Sequence, residues 1–157
     1  MKVLILSDTH RAKRSMDRIV QLIKDEIDLI IHAGDNFRDT VYLKDETGKA
    51  IIGVAGNCDF ENVEREIEFE CEGVKIFLTH GHSYGVKYGL NNLAREASKR
   101  GANIAIFGHT HCKEDRIVHG VQMINPGSLS LPRDERHGSY VVMNIEDGSY
   151  DFEYRFI

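Results

Sequence analysis

Apolar positions in this chain gather into short runs that stop abruptly at turns bearing ionisable side chains. Asn103–His111, reading NIAIFGHTH, shows the pattern most plainly: Ile104–Phe107 is rich in β-branched and aromatic residues, stops at Gly108, and leads into His109 and His111. Such a run, bounded by glycine, suits a strand covered on both faces, although periodicity alone leaves a buried helical segment open. Gly108 permits a tight turn, and two histidines one residue apart can both point away from the core. A histidine after a strand is also commonly a plain hydrogen-bonded residue, so this stretch by itself leaves metal binding undecided.

The same pattern recurs along the chain. Lys2–Leu6 reads as a strand running into Ser7-Asp8-Thr9-His10. A helix beginning near Ser15 presents Met16, Ile19, Val20 and Ile23 as one apolar face. Leu29–Ile31 is a strand that delivers His32-Ala33-Gly34-Asp35, with His32 still inside it and structural. Phe37–Asp45 is expected to be a short helix, and Ala50–Val54 a strand leading to Ala55-Gly56-Asn57-Cys58-Asp59. Ile67–Cys71 and Val74–Leu78 flank Glu72-Gly73 as a hairpin whose second arm ends in Thr79-His80-Gly81-His82. Val86, Leu90, Leu93, Ala94 and Ala97 mark a second amphipathic helix, closed by Gly101 as a left-handed cap. Asp115–Val118, a His119-Gly120 turn and Val121–Ile124 follow, then the loop Asn125-Pro126-Gly127-Ser128. Tyr140–Ile145 and Tyr150–Phe156 flank Asp147-Gly148, and Tyr150, Phe152, Tyr154 and Phe156 alternate with polar residues as in a half-buried strand.

Composition narrows the classes. With 157 residues, 41% hydrophobic and 29% charged, the sequence is expected to form one domain over residues 1–157. A net charge of -5 and a pI of about 5.9 argue against an extended nucleic-acid partner, which calls for a basic surface. Met1–Leu6 is too short for a signal-peptide core and no later run approaches membrane-spanning length, so the expectation is a cytoplasmic protein without a membrane partner. Cys58, Cys71 and Cys112 are odd in number and contain no Cys-x-x-Cys pair, which points to reduced thiols.

Five apolar runs end in Asp8/His10, Asp35, Asn57, His80 and His109/His111. Strand carboxyl ends of an open α/β sheet converge on one crevice, so these side chains are expected to meet. Imidazoles, carboxylates and one amide favour Mn, Fe, Co, Ni or Zn over calcium, which prefers an all-oxygen shell. Seven ligands exceed the needs of one open catalytic metal. Two ions roughly 3.5 to 4 Å apart would use them if a carboxylate bridges both, and Asp35 is the natural candidate.

With these residues in view, the sequence resembles the calcineurin-like metallophosphoesterases, and within them the small prokaryotic phosphodiesterases of the YfcE type. The resemblance rests on Asp8-Thr9-His10, Gly34-Asp35, Gly56-Asn57-Cys58-Asp59, His80-Gly81-His82 and Gly108-His109-Thr110-His111 in order, with Asn125-Pro126-Gly127-Ser128 at its expected place. It implies an α/β fold: a four-layer αββα sandwich of two mixed β-sheets flanked by helices, with the metals at the sheet ends. It implies that Asp8, His10, Asp35 and His111 hold one ion while Asp35, Asn57, His80 and His109 hold the other. It further implies two divalent transition-metal ions, manganese foremost with Ni, Co, Fe, Zn or Mg as alternatives. Hydrolysis of a small phosphodiester by a metal-bridging hydroxide, with no protein nucleophile, is the implied reaction.

One position departs from the wider superfamily. Cys58 follows Asn57 where many relatives carry a histidine proposed to protonate the leaving oxygen, a change the YfcE-like subgroup tolerates. Efficient attack on esters with poor leaving groups is therefore in doubt, and His82 is an alternative donor. The catalytic set read from the sequence is Asn57, Cys58, Asp59 and His82, with Asp59 orienting a neighbouring ligand and His82 either contacting phosphate or simply solvated. Arg133 either clamps a phosphate or is solvated, and His119 and His137 are ordinary turn residues. Cys71 and Cys112 read as structural thiols, although Cys112 beside His111 would render the site sensitive to oxidation. Two other functions stay open: a non-catalytic scaffold on the same fold, and a phosphomonoesterase or pyrophosphatase. The last aromatic strand is a candidate edge for pairing subunits in a homo-oligomer, or else is covered by the fold.

Overall fold

The computed structural model describes residues Met1–Ile157, and its organisation follows from period-two alternation in the first strand. In β1 (Lys2–Leu6), Val3 and Ile5 face one way and Leu4 and Leu6 the other, yet all four are buried. Each face must therefore meet a separate apolar layer. Val3 and Ile5 join the core between two sheets, while Leu4 and Leu6 pack under α1 (Lys13–Ile23) and α2 (Arg38–Thr47).

The first sheet places β1 centrally, parallel to β2 (Leu29–His32), which is in turn parallel to β3 (Ala50–Gly53). On its other side run β9 (Ser139–Glu146) and the edge strand β10 (Ser149–Phe156), both antiparallel to their neighbours. The second sheet has the order β4 (Glu66–Cys71), β5 (Val74–Thr79), β6 (Ile104–Ile106), β8 (Val121–Pro126) and β7 (Lys113–Val118). Here β5, β6 and β8 are parallel and both edge strands antiparallel. Ile76, Leu78, Ile104, Ile106 and Ile124 meet Val3, Ile5, Ile31 and Met143 in the shared core. Phe77, Ala105, Phe107 and Met123 pack instead against Leu93, Ala94 and Ala97 of α3 (Asn91–Lys99). The result is the four-layer αββα sandwich of two mixed sheets.

Several boundaries differ from the sequence reading, each for a local reason. Helix α1 starts at Lys13, ahead of the apolar stripe from which its start was read. Val86 and Leu90 are buried with α3 but precede it, because Gly89 at φ +149° is incompatible with a helix. His82–Tyr84 forms only a single 3₁₀ turn in this connection. Asn125 and Pro126, read as loop, extend β8 because Lys113 and Glu114 pair with them. In β10, Tyr150, Phe152 and Tyr154 cover the inter-sheet core as the alternation requires, whereas Phe156 at the open end stays 49% exposed.

Candidate metal centre

Register brings the turns together. Leu6 pairs with His32, and His32 with Gly53, so Asp8, Asp35 and Asn57 leave neighbouring strands at the same edge of the first sheet. Leu78 pairs with Ile106 in the second sheet, which delivers His80 beside His109 and His111. Backbone bonds then tie the turns across: Asp8 N–H donates to Gly34 O at 3.0 Å, and Gly108 N–H to His80 O at 3.1 Å.

The ligand atoms of Asp8, His10, Asp35 and His111 all lie within 4.8 Å of one another. Each of these four residues holds a left-handed backbone, at φ +51°, +43°, +63° and +59° respectively. Arg11, Asn36 and His109 share that region, so seven of the ten non-glycine residues with positive φ stand in these turns. A non-glycine residue there costs roughly 1 to 3 kcal/mol, and such strain collects where function fixes side-chain direction.

Asp8 divides its carboxylate. Oδ2 accepts from Ser7 Oγ–H at 2.6 Å and from His109 N–H at 3.1 Å, which pins the group. Oδ1 is buried without a hydrogen-bond partner and faces His111 Nε2 at 3.1 Å, with His10 Nε2 and His80 Nε2 each at 3.9 Å. Asp35 presents one oxygen to each side: Oδ2 lies 3.7 Å from His10 Nε2, and Oδ1 lies 3.3 Å from His80 Nε2 while accepting from Cys58 N–H at 3.0 Å. His80 Nδ1 faces Ala33 O at 2.7 Å and His111 Nδ1 faces Leu131 O at 2.8 Å. Carbonyls only accept, so Nδ1 carries hydrogen in both rings and each Nε2 is turned toward the carboxylates. His10 Nε2 and His80 Nε2 are likewise buried and partnerless. Buried polar atoms left open on converging carboxylates and imidazoles fit divalent cations, which would satisfy all of them at once.

Electrostatics agree with that fit. Burial pushes the Asp8 and Asp35 carboxyls up, but the close approach and charge of the facing histidines, with the Ser7 bond to Asp8 and the Cys58 N–H bond to Asp35, outweigh it and hold both below their ordinary value. The close approach of the Asp8 carboxylate raises His111. Burial lowers His80, yet its contacts with Asp35 and Asp8 leave it raised. Burial takes His109 down to about 4, with the charges of His80 and Lys87 pushing the same way, so its lone pair is free near neutrality. Two ionised carboxylates thus draw positive charge onto their neighbours, a place a cation can take.

The remaining sequence candidates divide. Asn57 lines the cleft, exposed, with its amide N–H directed at Cys58 Sγ at 3.6 Å. Asp59 is buried and spends both oxygens on backbone N–H groups, Oδ1 on Phe37 and Oδ2 on Gly56, each at 2.8 Å, which suits a positioning role. The Cys58 thiol is raised by burial and by the charge of Asp35. The His82 ring centroid lies 5.6 Å from that of His80 and 6.0 Å from that of His109, and its Nδ1 is buried without a partner. Arg133 and Lys87 both line the cleft of about 260 Å³ above Asp35, His109 and His111. His119 bonds Asn91 Oδ1 on the surface, away from the cleft.

Lys87 was hidden in the sequence because it sits in what reads as a helical stretch. Also hidden was a buried chain behind the site. Thr9 Oγ1–H donates to Asp39 Oδ2, which also accepts Arg11 N–H at 2.9 Å, and Thr9 Oγ1 lies 3.0 Å from His32 Nε2. Ser128 Oγ–H holds Asp8 O at 2.8 Å and Asn125 Nδ2–H holds Gly108 O at 2.9 Å, so the Asn125–Ser128 segment braces two turns. Gly56 and Gly108 are required for space. A Cβ on Gly56 would collide with Asp35 Oδ1, and one on Gly108 with Ser7 Oγ and Asp8 Oδ2. Gly108 does not have the positive φ expected of a tight-turn glycine; His109, after it, does, at +70°.

Comparison with known proteins gives the same grouping. The calcineurin-like phosphoesterase superfamily domain matches residues 1–148. The probable metallophosphoesterase YsnB of Bacillus subtilis is 37% identical over 148 residues, covering 94% of this chain and 86% of that protein. Phosphodiesterase YfcE of Escherichia coli K12 is 25% identical over 168 residues, covering 92% and 88%. The crystal structure of a predicted phosphoesterase from Streptococcus pneumoniae superposes with a TM-score of 0.84 at 25% identity, covering 99% of this chain and 88% of that one. With the sandwich, the ordered motifs and the cation-shaped cluster in place, this chain belongs to the calcineurin-like phosphoesterase superfamily.

Proposed function

We propose that the protein is a dinuclear metal-dependent phosphodiesterase that hydrolyses a small phosphodiester. The observation that carries this is the split presentation of Asp35, with one oxygen toward His10 and the other toward His80. Asp8, His10, Asp35 and His111 are assigned to one ion; Asp35, Asn57, His80 and His109 are assigned to the second. Manganese is the favoured metal, with Ni, Co, Fe, Zn or Mg as alternatives. When bound, such a pair supplies Lewis-acid charge and water acidified to near neutral pH.

The chain's own residues do the rest. His80 and His111 are held by backbone carbonyls with Nε2 directed at the carboxylates, so they need no reorientation to bind a cation. Asp59 locks the turn that carries Asn57 and Cys58. Lys87 and Arg133 bring positive charge to the cleft, where they can meet phosphoryl oxygens outside the metal positions. His82 is the proton donor assigned to the leaving oxygen, since Cys58 takes the place where many relatives carry a histidine. Cys58→His should then widen the range of leaving groups accepted; an unaltered range and pH–rate profile would reject that role for position 58.

The family and the relative named as a phosphodiesterase support a hydrolase of small phosphoesters. Bis-p-nitrophenyl phosphate should be cleaved with Mn, Ni, Co or Mg, and faster than the corresponding monoester with the same metal. Cleavage with none of them would move the reading to a scaffold, and preference for the monoester or for pyrophosphate would move it to the other hydrolase class. No helix is long and apolar enough to cross a membrane; a cytoplasmic location, the absence of an extended nucleic-acid partner and a homo-oligomer are carried forward as part of this proposal.

A further inference from the structure

A second cleft, of about 240 Å³, adjoins the metal cleft and shares Cys58 with it as a wall. Arg11, Asn36, Arg38, Asp59, Phe60 and Glu61 form its other sides. Three of its wall residues follow candidate ligands in the chain: Arg11 after His10, Asn36 after Asp35, and Cys58 after Asn57. The second cleft is thus walled by the chain neighbours of three candidate ligands and meets the metal cleft at Cys58.

Phe60 is the unusual member. It is 96% exposed, although full burial of such a ring is worth about 1.5 to 3 kcal/mol. The ring also grows from a fixed base. Asp59 beside it is buried and bonded to Phe37 N–H and Gly56 N–H, each at 2.8 Å, and Phe60 N–H donates to Glu61 Oε2 at 3.2 Å. A rigidly based, uncovered aromatic face at the rim of a cleft is a stacking platform.

The polar side of the cleft complements it. Arg11 and Asn36 hold left-handed backbones at φ +61° and +65°, which project them from the same strained turns that carry His10 and Asp35. Arg11 is bonded through its backbone N–H to Asp39 and makes no ion pair through its guanidinium. Arg38 pairs with Glu61 at 2.9 Å on the surface, an exchange partner worth little, so its guanidinium can turn to an incoming anion or carbonyl at small cost. Planar guanidinium donors and an amide beside an aromatic ring suit a heteroaromatic base carrying acceptors.

We propose that this second cleft takes one arm of the diester, with a nucleobase stacked on Phe60 and its polar edge or sugar-phosphate on Arg11, Asn36 and Arg38. The substrate class is therefore a nucleotide-derived diester in preference to a glycerol- or choline-type one. This rests on the phosphodiesterase reading above, and the test separates the two.

The manganese-loaded protein is assayed on a dinucleoside monophosphate and on glycerophosphocholine, and adenosine monophosphate binding to the metal-free protein is followed by NMR. In wild type, kcat/KM is expected to favour the dinucleoside, and the base-proton signals of adenosine monophosphate should shift on binding. Phe60→Ala should lower the dinucleoside-to-glycerol specificity ratio about tenfold through KM, the size of one base–aromatic stack, and abolish the NMR response; Phe60→Trp should restore both. An unchanged ratio with adenosine monophosphate still bound in Phe60→Ala overturns the proposal. So does a variant whose only change is its oligomeric state, which would mean a second copy covers Phe60. If wild type cleaves neither these diesters nor bis-p-nitrophenyl phosphate, the phosphodiesterase reading fails, and the NMR arm alone decides whether the cleft holds a base.

Discussion

Lowering the pH from 7 to 5 should cost the metal-free protein stability through His32, a residue outside the cluster that nonetheless supports it. His32 is completely buried, its Nδ1 accepts Gly34 N–H at 3.2 Å, and its Nε2–H is placed to donate to Thr9 Oγ1 at 3.0 Å. Both ring nitrogens are thereby satisfied in the neutral form. Burial takes the imidazole from 6.5 down to about 4, against the opposing pull of Asp39 and Asp8. The unfolded chain then binds a proton that the folded chain refuses. This stability is complete above 6.5 and is lost as the pH falls toward 4. At about 1.4 kcal/mol per pH unit, the full penalty is roughly 3 kcal/mol, of which about 2 kcal/mol falls between pH 7 and pH 5. His80 and His111 carry the opposite sign, since their raised values add stability as the pH falls toward the ordinary imidazole value, a gain that is complete below it. The comparison must therefore be differential. Urea melts of chelator-stripped wild type and His32→Gln, which keeps a donor and an acceptor but cannot titrate, should show the wild-type advantage shrinking by about 2 kcal/mol from pH 7 to pH 5. Two curves that keep a constant separation across that range would refute the assignment of His32 as a buried neutral brace.

Two further changes probe the centre itself. Gly108→Ala places a methyl group against Ser7 Oγ and Asp8 Oδ2, so it should cost about 1 to 3 kcal/mol in urea melts and weaken manganese binding at least tenfold by calorimetry; stability equal to wild type would show that the turn has room. Adding manganese at a hundred times its dissociation constant should stabilise the stripped protein by about 2.7 kcal/mol, and Asp35→Asn should lower the metal content from two ions per chain to one or none, whereas two ions retained at full affinity would rule out the shared carboxylate.

Much of the architecture was legible because burial writes itself into a strand's pattern. Val3, Leu4, Ile5 and Leu6 are all apolar, so β1 had to be covered on both sides, and the same reasoning fits β2 and β6. The Asp8, His10, Asp35, His80, His109 and His111 positions were legible as strand-end deliveries for that reason: a buried run takes an ionisable side chain only in its neutral form, as at His32, so charge appears where the run stops. Helix limits were less legible. The apolar stripe through Val86 and Leu90 describes a face that is buried, and only the backbone shows that Gly89 leaves those two residues outside α3.

The sequence by itself determined which residues could be ligands, that the apolar runs are buried strands, and in what order the motifs occur, because those properties are local and carried by side-chain chemistry and period. Only the tertiary structure decided how they act together. It gathered four left-handed residues, Asp8, His10, Asp35 and His111, around one point, pinned Asp8 Oδ2 so that Oδ1 stays open, and divided Asp35 between His10 and His80. It also set Lys87 and Phe60 on the rims of two joined clefts. Such relations depend on contacts between residues a hundred or more positions apart, 101 from Asp8 to His109 and 120 from Asp8 to Ser128, and no window along a chain contains both partners of such a pair.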